Sequence, residues 1–325
     1  VAMEQNALSA APVRDAARNA RYIARLVEIL PEQACDDQVV ADFFYDTAIA
    51  ALRERFDHCV ELFGKDDPAF PARIWEADIE LTAFEPDKAR SMAQSYLSDP
   101  REAYRTNAIR QVIASYILGG QMDKAEAALE AEMQRHRDQQ SPRMAVQRAL
   151  GLAALRYLLD KPVSDKLVAF MRASLEEDVA APPHFKTRIE VLIGVVTKVG
   201  DAEAKKLAQR AIDSESKADA YYAIPLLRRA FGDKKTKELL DERSGVGTRT
   251  RVVSALEYAE LLQALGAPDA ELEAAYRTAM VPIASDVSTF DKVAARLRLA
   301  KLYDKMGKKP EADALRAEVD KVWKG

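Results

Sequence analysis

Between Arg105 and Gly119 the apolar residues Ile109, Val112, Ile113 and Tyr116 follow one another at steps of three, one and three. That rhythm lays a single apolar stripe along a helix of 3.6 residues per turn. Gly120 follows, in the place where a helix ends by turning left-handed, which glycine does without steric cost. Asp123 then opens a second helix near its positive end. Its small residues Ala125 and Ala128 leave room for the first helix, and Leu129 and Met133 continue the stripe. The pattern predicts a helical hairpin.

The same pattern returns near the end of the chain. Tyr116, Gly120 and Ala125 are echoed by Tyr303, Gly307 and Ala312, with Leu299 and Ala300 before them and Leu315 and Val319 after. Pro310 stands in the first turn of that second helix, where its missing N–H does no harm. Weaker copies lie between the two. They have turns at Gly200, Gly232 and Gly266, and one around Lys161 where Asp160 to Pro162 stand in for glycine. The turns at 120, 161, 200, 232, 266 and 307 are 41, 39, 32, 34 and 41 residues apart, a degenerate array with connections of variable length.

Before residue 100 the repeat fades. Residues 1–11 are expected to be mobile. Residues 12–100 read as an N-terminal helical region with one long helix over about 37–64, and residues 101–325 as the repeat array. If that long helix is unbroken, Cys35 and Cys59 lie roughly 30 to 36 Å apart, far beyond the reach of a disulfide. On that reading the cysteines slightly favour a reducing, cytoplasmic setting. The sequence opens on Val1 rather than Met, which an expression scar or a removed leader would each explain, so an exported mature form stays open.

Composition agrees with helices. Aromatic residues are only 7%, and twelve Gly and fourteen Pro are few turn formers for an all-β chain of 325 residues. The net charge of −4 comes from interspersed signs without a basic arm, so a nucleic-acid partner is not expected. The longest apolar run of note, Val191 to Val196, is far too short to span a membrane.

The hairpins resemble the tetratricopeptide repeat superfamily. The match is best over 105–136 and 293–322, partial over about 186–280 and poor before 100. It departs from the family in lacking the usual Trp of the first helix and in having intervals above 34. The resemblance implies an all-α fold, a right-handed α-solenoid of helical hairpins forming a TPR-like superhelix. Its inner groove is lined by the first helix of each pair and binds proteins or peptides. The same follows physically: a hairpin with an uncovered apolar stripe needs neighbours, and stacked neighbours present a long concave face. Projected on this register, the groove includes Asn107, Arg110, Ala114, Glu190, Tyr222, Arg229, Glu260, Gln263 and Lys301. Asn107, Arg110, Tyr222, Arg229 and Lys301 are the partner-contact candidates, Arg and Tyr being frequent at interface hot spots.

Residues fit for catalysis are sparse. His58, His136 and His184 are scattered and no Cys-x-x-Cys occurs, so neither a metal site nor a cofactor is expected. His58 and Cys59 are adjacent and diverge on a helix. The stretch Ser244 to Thr250 lacks the Gly-Lys-Ser/Thr core of a phosphate loop. The expected function is therefore non-enzymatic: a scaffold or adaptor that binds a protein or peptide partner. The alternatives are a structural or self-associating subunit, and an enzyme or small-ligand binder with its site among the aromatic residues of the N-terminal region, near Phe43 to Asp46 or Trp75.

Overall fold

The computed structural model describes residues 49–64, 72–216, 219–243, 255–280 and 289–323. The expected mobile residues 1–11, the cluster at 43–46 and the loop at 244–250 lie outside them. The described residues are all-α, with fifteen helices and no strand. The first four are α1 (Ile49–Phe63), α2 (Ala72–Thr82), α3 (Pro86–Gln94) and α4 (Glu102–Leu118). Then come α5 (Met122–Asp138), α6 (Pro142–Leu158), α7 (Asp165–Glu177), α8 (Pro183–Val196) and α9 (Asp201–Asp213). They are followed by α10 (Asp219–Tyr222), α11 (Ile224–Glu242), α12 (Ala255–Ala264), α13 (Asp269–Ala279), α14 (Thr289–Lys305) and α15 (Lys309–Val322). Among the described residues no helix is long and apolar enough to cross a membrane.

The hairpin turns explain the echoed Tyr and Gly. Gly120, Asp160, Lys198, Gly266 and Gly307 all have positive φ, between 50° and 74°. In each case the next residue's N–H reaches back to the carbonyl five positions earlier. These bonds run from Gln121 to Tyr116, Lys161 to Arg156, Val199 to Gly194, Ala267 to Leu262 and Lys308 to Tyr303, at 2.8 to 3.2 Å. This is the helix-ending motif in which a left-handed residue lets orphan carbonyls find donors. The repeated residue four places before the turn is therefore the one whose carbonyl closes the helix.

Two turns differ from expectation. The left-handed residues are Asp160 and Lys198, not Lys161 and Gly200. Gly200 is instead extended, with φ −62° and ψ 162°, and caps the start of α9. Gly232 has φ 78° and ψ 166°, a conformation open essentially to glycine alone, and it breaks α11 into two helical pieces. Counted from left-handed residue to left-handed residue, with Gly232 for its hairpin, the intervals are 40, 38, 34, 34 and 41.

The described chain divides into two compact units. One comprises the described residues within 1–121, 280–293 and 313–325, and the other those within 122–279 and 294–312. In the second unit each helix packs on those next to it in sequence: α5 on α6, α6 on α7 and α8, α8 on α9, α9 on α11, and α12 on α13. One of its cores joins Val191, Leu207, Tyr221, Ile224, Leu227, Leu240 and Leu261. Polar contacts between successive hairpins recur about one repeat apart. Lys161 reaches Glu126, Lys198 reaches Asp160, Arg229 reaches the Val199 carbonyl and Lys308 reaches Glu273, over separations of 35, 38, 30 and 35 residues.

The first unit adds a contact that hairpin periodicity does not predict. Its core combines Ala77, Leu81, Phe84, Ala89 and Val112 with Val293, Val319 and Val322 from the C-terminal helices. Lys321 pairs with Glu85 across 236 residues of sequence, and Phe290 meets Trp323 edge to face. A second cluster in this unit holds Phe56, Cys59 and Ile79, with Trp75 against it.

The expected long helix is helical over Ile49–Phe63, and the rest of it lies outside the described residues. Cys59 on this helix is fully buried and disulfide-bonded. The chain's other cysteine is Cys35, which is not among the described residues. The expectation of two unbridged thiols is thus corrected, and with it goes the argument for a reducing compartment.

Candidate functional site

The projected groove residues go to different places. In the first unit Asn107 and Arg110 are half-buried on α4, and Arg110 sends a guanidinium nitrogen to Asp78 on α2 at 3.5 Å. In the second unit Tyr222 is half-buried on α10, its ring 4.7 Å beneath the guanidinium of Arg188. Burial raises its phenol above the ordinary range, Arg188 opposes this, and Asp219 adds to it. Arg229 is exposed, but it donates to the Val199 carbonyl at 2.7 Å and pairs with Asp201. It thereby ties α11 to the α8–α9 turn. Arg110, Tyr222 and Arg229 are therefore already engaged in packing one helix on another.

Glu260, Gln263 and Lys301 are brought together. They line an open cleft of about 650 Å³ in the second unit, formed by α12, α13 and α14. α12 supplies Glu260, Gln263 and Ala264, and α14 supplies Arg298, Lys301, Leu302 and Lys305. Leu272 and Tyr276 of α13 are buried and form its floor, and Arg228 of α11 stands at one side. The first helices of two successive hairpins thus make its walls.

The polar groups are arranged by short contacts. The Tyr276 hydroxyl donates to Gln263 Oε1. Burial raises this phenol above its ordinary range, Glu260 adds to that, and Arg298 works against it. Arg298 donates to Glu260 at 3.2 Å, Lys305 to Asp269 at 3.0 Å, and Arg228 to Asp233 at 2.7 Å. One turn before Glu260 stands Glu257. Its stem is partly exposed, but its Oε2 is out of solvent and accepts no hydrogen bond among the described residues. Burial pushes that carboxyl up, a backbone hydrogen bond pulls it down, and Glu260 raises it further. The cleft offers guanidinium, ammonium, amide and phenol groups over an apolar floor, a set suited to recognising charge and hydrogen-bonding groups.

Arg298, Lys305 and Tyr276 were not among the projected positions. Arg298 and Lys305 lie three before and four after Lys301, so they share its face of the helix. That spacing was the available signal. Glu190, also projected, falls elsewhere in the unit, in a smaller cleft of about 420 Å³ between α7, α8 and α9, where it pairs with Arg210. No protein-family profile matches this chain, and neither does any curated protein.

Proposed function

We propose that this chain is a non-enzymatic scaffold of helical-repeat type, a right-handed superhelix of TPR-like hairpins that holds a protein or peptide partner on its inner face. Two features support the architecture: the first helices of five hairpins end in left-handed turns of one kind at Gly120, Asp160, Lys198, Gly266 and Gly307, with Gly232 dividing the longest interval, and polar contacts recur about one hairpin apart. Within the second unit hairpins lean on their neighbours for the burial they lack alone, while α15 shares the core of the first helices.

The observation that carries the binding role is the meeting of Glu260, Gln263 and Lys301 in one exposed cleft. These positions come from the first helices of two successive hairpins, as an inner-face register requires. An extended peptide or a helix laid across α12 and α14 would cover the apolar floor and meet the charged walls.

Photo-crosslinking tests this reading. A photoreactive residue is placed at Gln263, at Lys301 or at the remote, exposed Lys166 of α7. The full chain is then irradiated in native lysate. The first two positions are expected to capture one common polypeptide that the third does not. Equal capture at all three, or none at Gln263 and Lys301, ends the proposal.

A further inference from the structure

We propose that the α12–α14 cleft is selective for an acidic, extended segment of its partner, with carboxylate side chains two residues apart. This rests on the binding role proposed above and specifies the ligand. Of the ten residues lining the cleft, Arg228, Arg298, Lys301 and Lys305 are cationic and Glu260 alone is anionic, although the whole chain carries −4.

The cations differ in how they are held. Arg298 pairs with Glu260 and Lys305 with Asp269, but both pairs are largely exposed, with 53% and 70% of the basic side chains open. Exposed pairs of this kind contribute little and exchange partners at small cost. Lys301 is exposed and makes no ion pair with a described residue. The site therefore holds one unspent cation and two that an incoming carboxylate can recruit.

Spacing turns this into a pattern. Lys301 and Lys305 are one helical turn apart, a rise of about 6 Å. Alternate side chains of an extended strand are about 6.6 Å apart on the same face. An Asp or Glu at positions i and i+2 of a partner strand matches the two ammonium groups. The apolar lining of Ala264, Leu272 and Leu302 favours a polypeptide over a small free anion, which would leave it uncovered.

The test is panning of a phage-displayed random dodecapeptide library on the full chain, with counter-selection on the double variant Lys301→Glu/Lys305→Glu. Both positions are exposed, and circular dichroism melting checks that the variant keeps its fold. Recovered peptides are expected to be enriched in acidic pairs at i and i+2. They should bind the double variant at least about 10-fold more weakly, keep their affinity for Lys301→Arg/Lys305→Arg, and lose about 10-fold between 0.05 and 0.5 M NaCl. Peptides that need the cleft but show no acidic enrichment overturn this inference and leave the scaffold reading standing. A library yielding no peptide that the double variant loses overturns both. So does cleft-dependent binding of an oligouridylate probe without such peptides.

Discussion

The Tyr303 hydroxyl on α14 donates to Glu273 Oε1 on α13 at 2.8 Å and accepts from Arg277 Nη2 at 2.6 Å. Lys308 and Arg277 Nε also reach Glu273, at 3.2 and 3.1 Å. One phenol thus fastens the last hairpin to the helix before it, while its own backbone carbonyl closes the turn at Gly307. Replacing Tyr303 with Phe keeps the packing and removes the bonds, at a cost of about 1.5 kcal/mol. The cost depends on pH. The Glu273 carboxyl is held below its usual range, first by the Tyr303 hydrogen bond and then by Arg277 and Lys308. A depressed carboxyl contributes stability that is present above the unfolded value near 4.3 and is lost as pH falls through the folded one. Thermal melting should show a gap between wild type and Tyr303→Phe at pH 7 that narrows below about pH 4. A gap that is constant with pH would mean Glu273 is not held by this hydroxyl.

Gly194 occupies in α8 the place that Tyr303 holds in α14, four residues before the left-handed turn residue. The reason for a glycine is steric. A Cβ there would overlap Leu207 Cδ1 of α9, with Leu226 Cδ1 and Val199 Cγ2 next to it at 3.6 Å. Gly194→Ala should cost about 1 to 3 kcal/mol by overpacking, despite the higher helix propensity of alanine. Leu207→Ala alone should be destabilising through its cavity, but in the Gly194→Ala background it should cost clearly less. Denaturant melts of the four proteins measure this, and additive losses would refute the close approach.

How far the sequence reveals this molecule depends on how local each feature is. The turns at Gly120, Gly266 and Gly307 are legible because positive φ selects glycine. Asp160 and Lys198 adopt the same conformation with ordinary side chains, at a cost that no composition signal announces. Helical register placed Glu260, Gln263 and Lys301 on a common face, and the cleft unites them. Register gives a direction and not a neighbour, however, and Tyr222 and Arg110 are met by Arg188 and Asp78 of their own units. No local pattern encodes a contact such as that between Glu85, half-buried at the N-cap of α3, and the exposed Lys321 of α15, because 236 residues of sequence separate them.

Glu257, one turn before Glu260 and outside the cleft lining, provides a second test of electrostatics. Its carboxyl is pushed up by burial and by Glu260. A raised carboxyl works in the opposite sense to Glu273. Its contribution to stability is complete below the unfolded value near 4.3 and is lost as pH rises through the folded one. Gln is neutral throughout and keeps the shape. Glu257→Gln should therefore melt higher than wild type at pH 7 to 8, with the gain shrinking toward pH 4. A variant that melts lower at pH 7, or one whose difference ignores pH, would show that this carboxyl is well solvated or paired.

The valines of α15 address how the two chain ends depend on each other. Val319 and Val322 are buried at 4% and 6% exposure in a core whose other members include Ala77, Leu81 and Ala89 of α2 and α3. In an array where each hairpin touches only its neighbours, trimming the last helix would loosen the last hairpins and leave the first untouched. Here the trimmed side chains belong to the core of the first helices. Each Val→Ala removes two buried carbons, about 1.5 kcal/mol, so the double variant should lose about 3 kcal/mol locally. Hydrogen exchange followed by mass spectrometry should show the loss of protection at residues 77–93 as well as at 313–322, with 201–213 unchanged. Loss confined to 289–322 would detach the C-terminal helix from that core and restore a purely nearest-neighbour array.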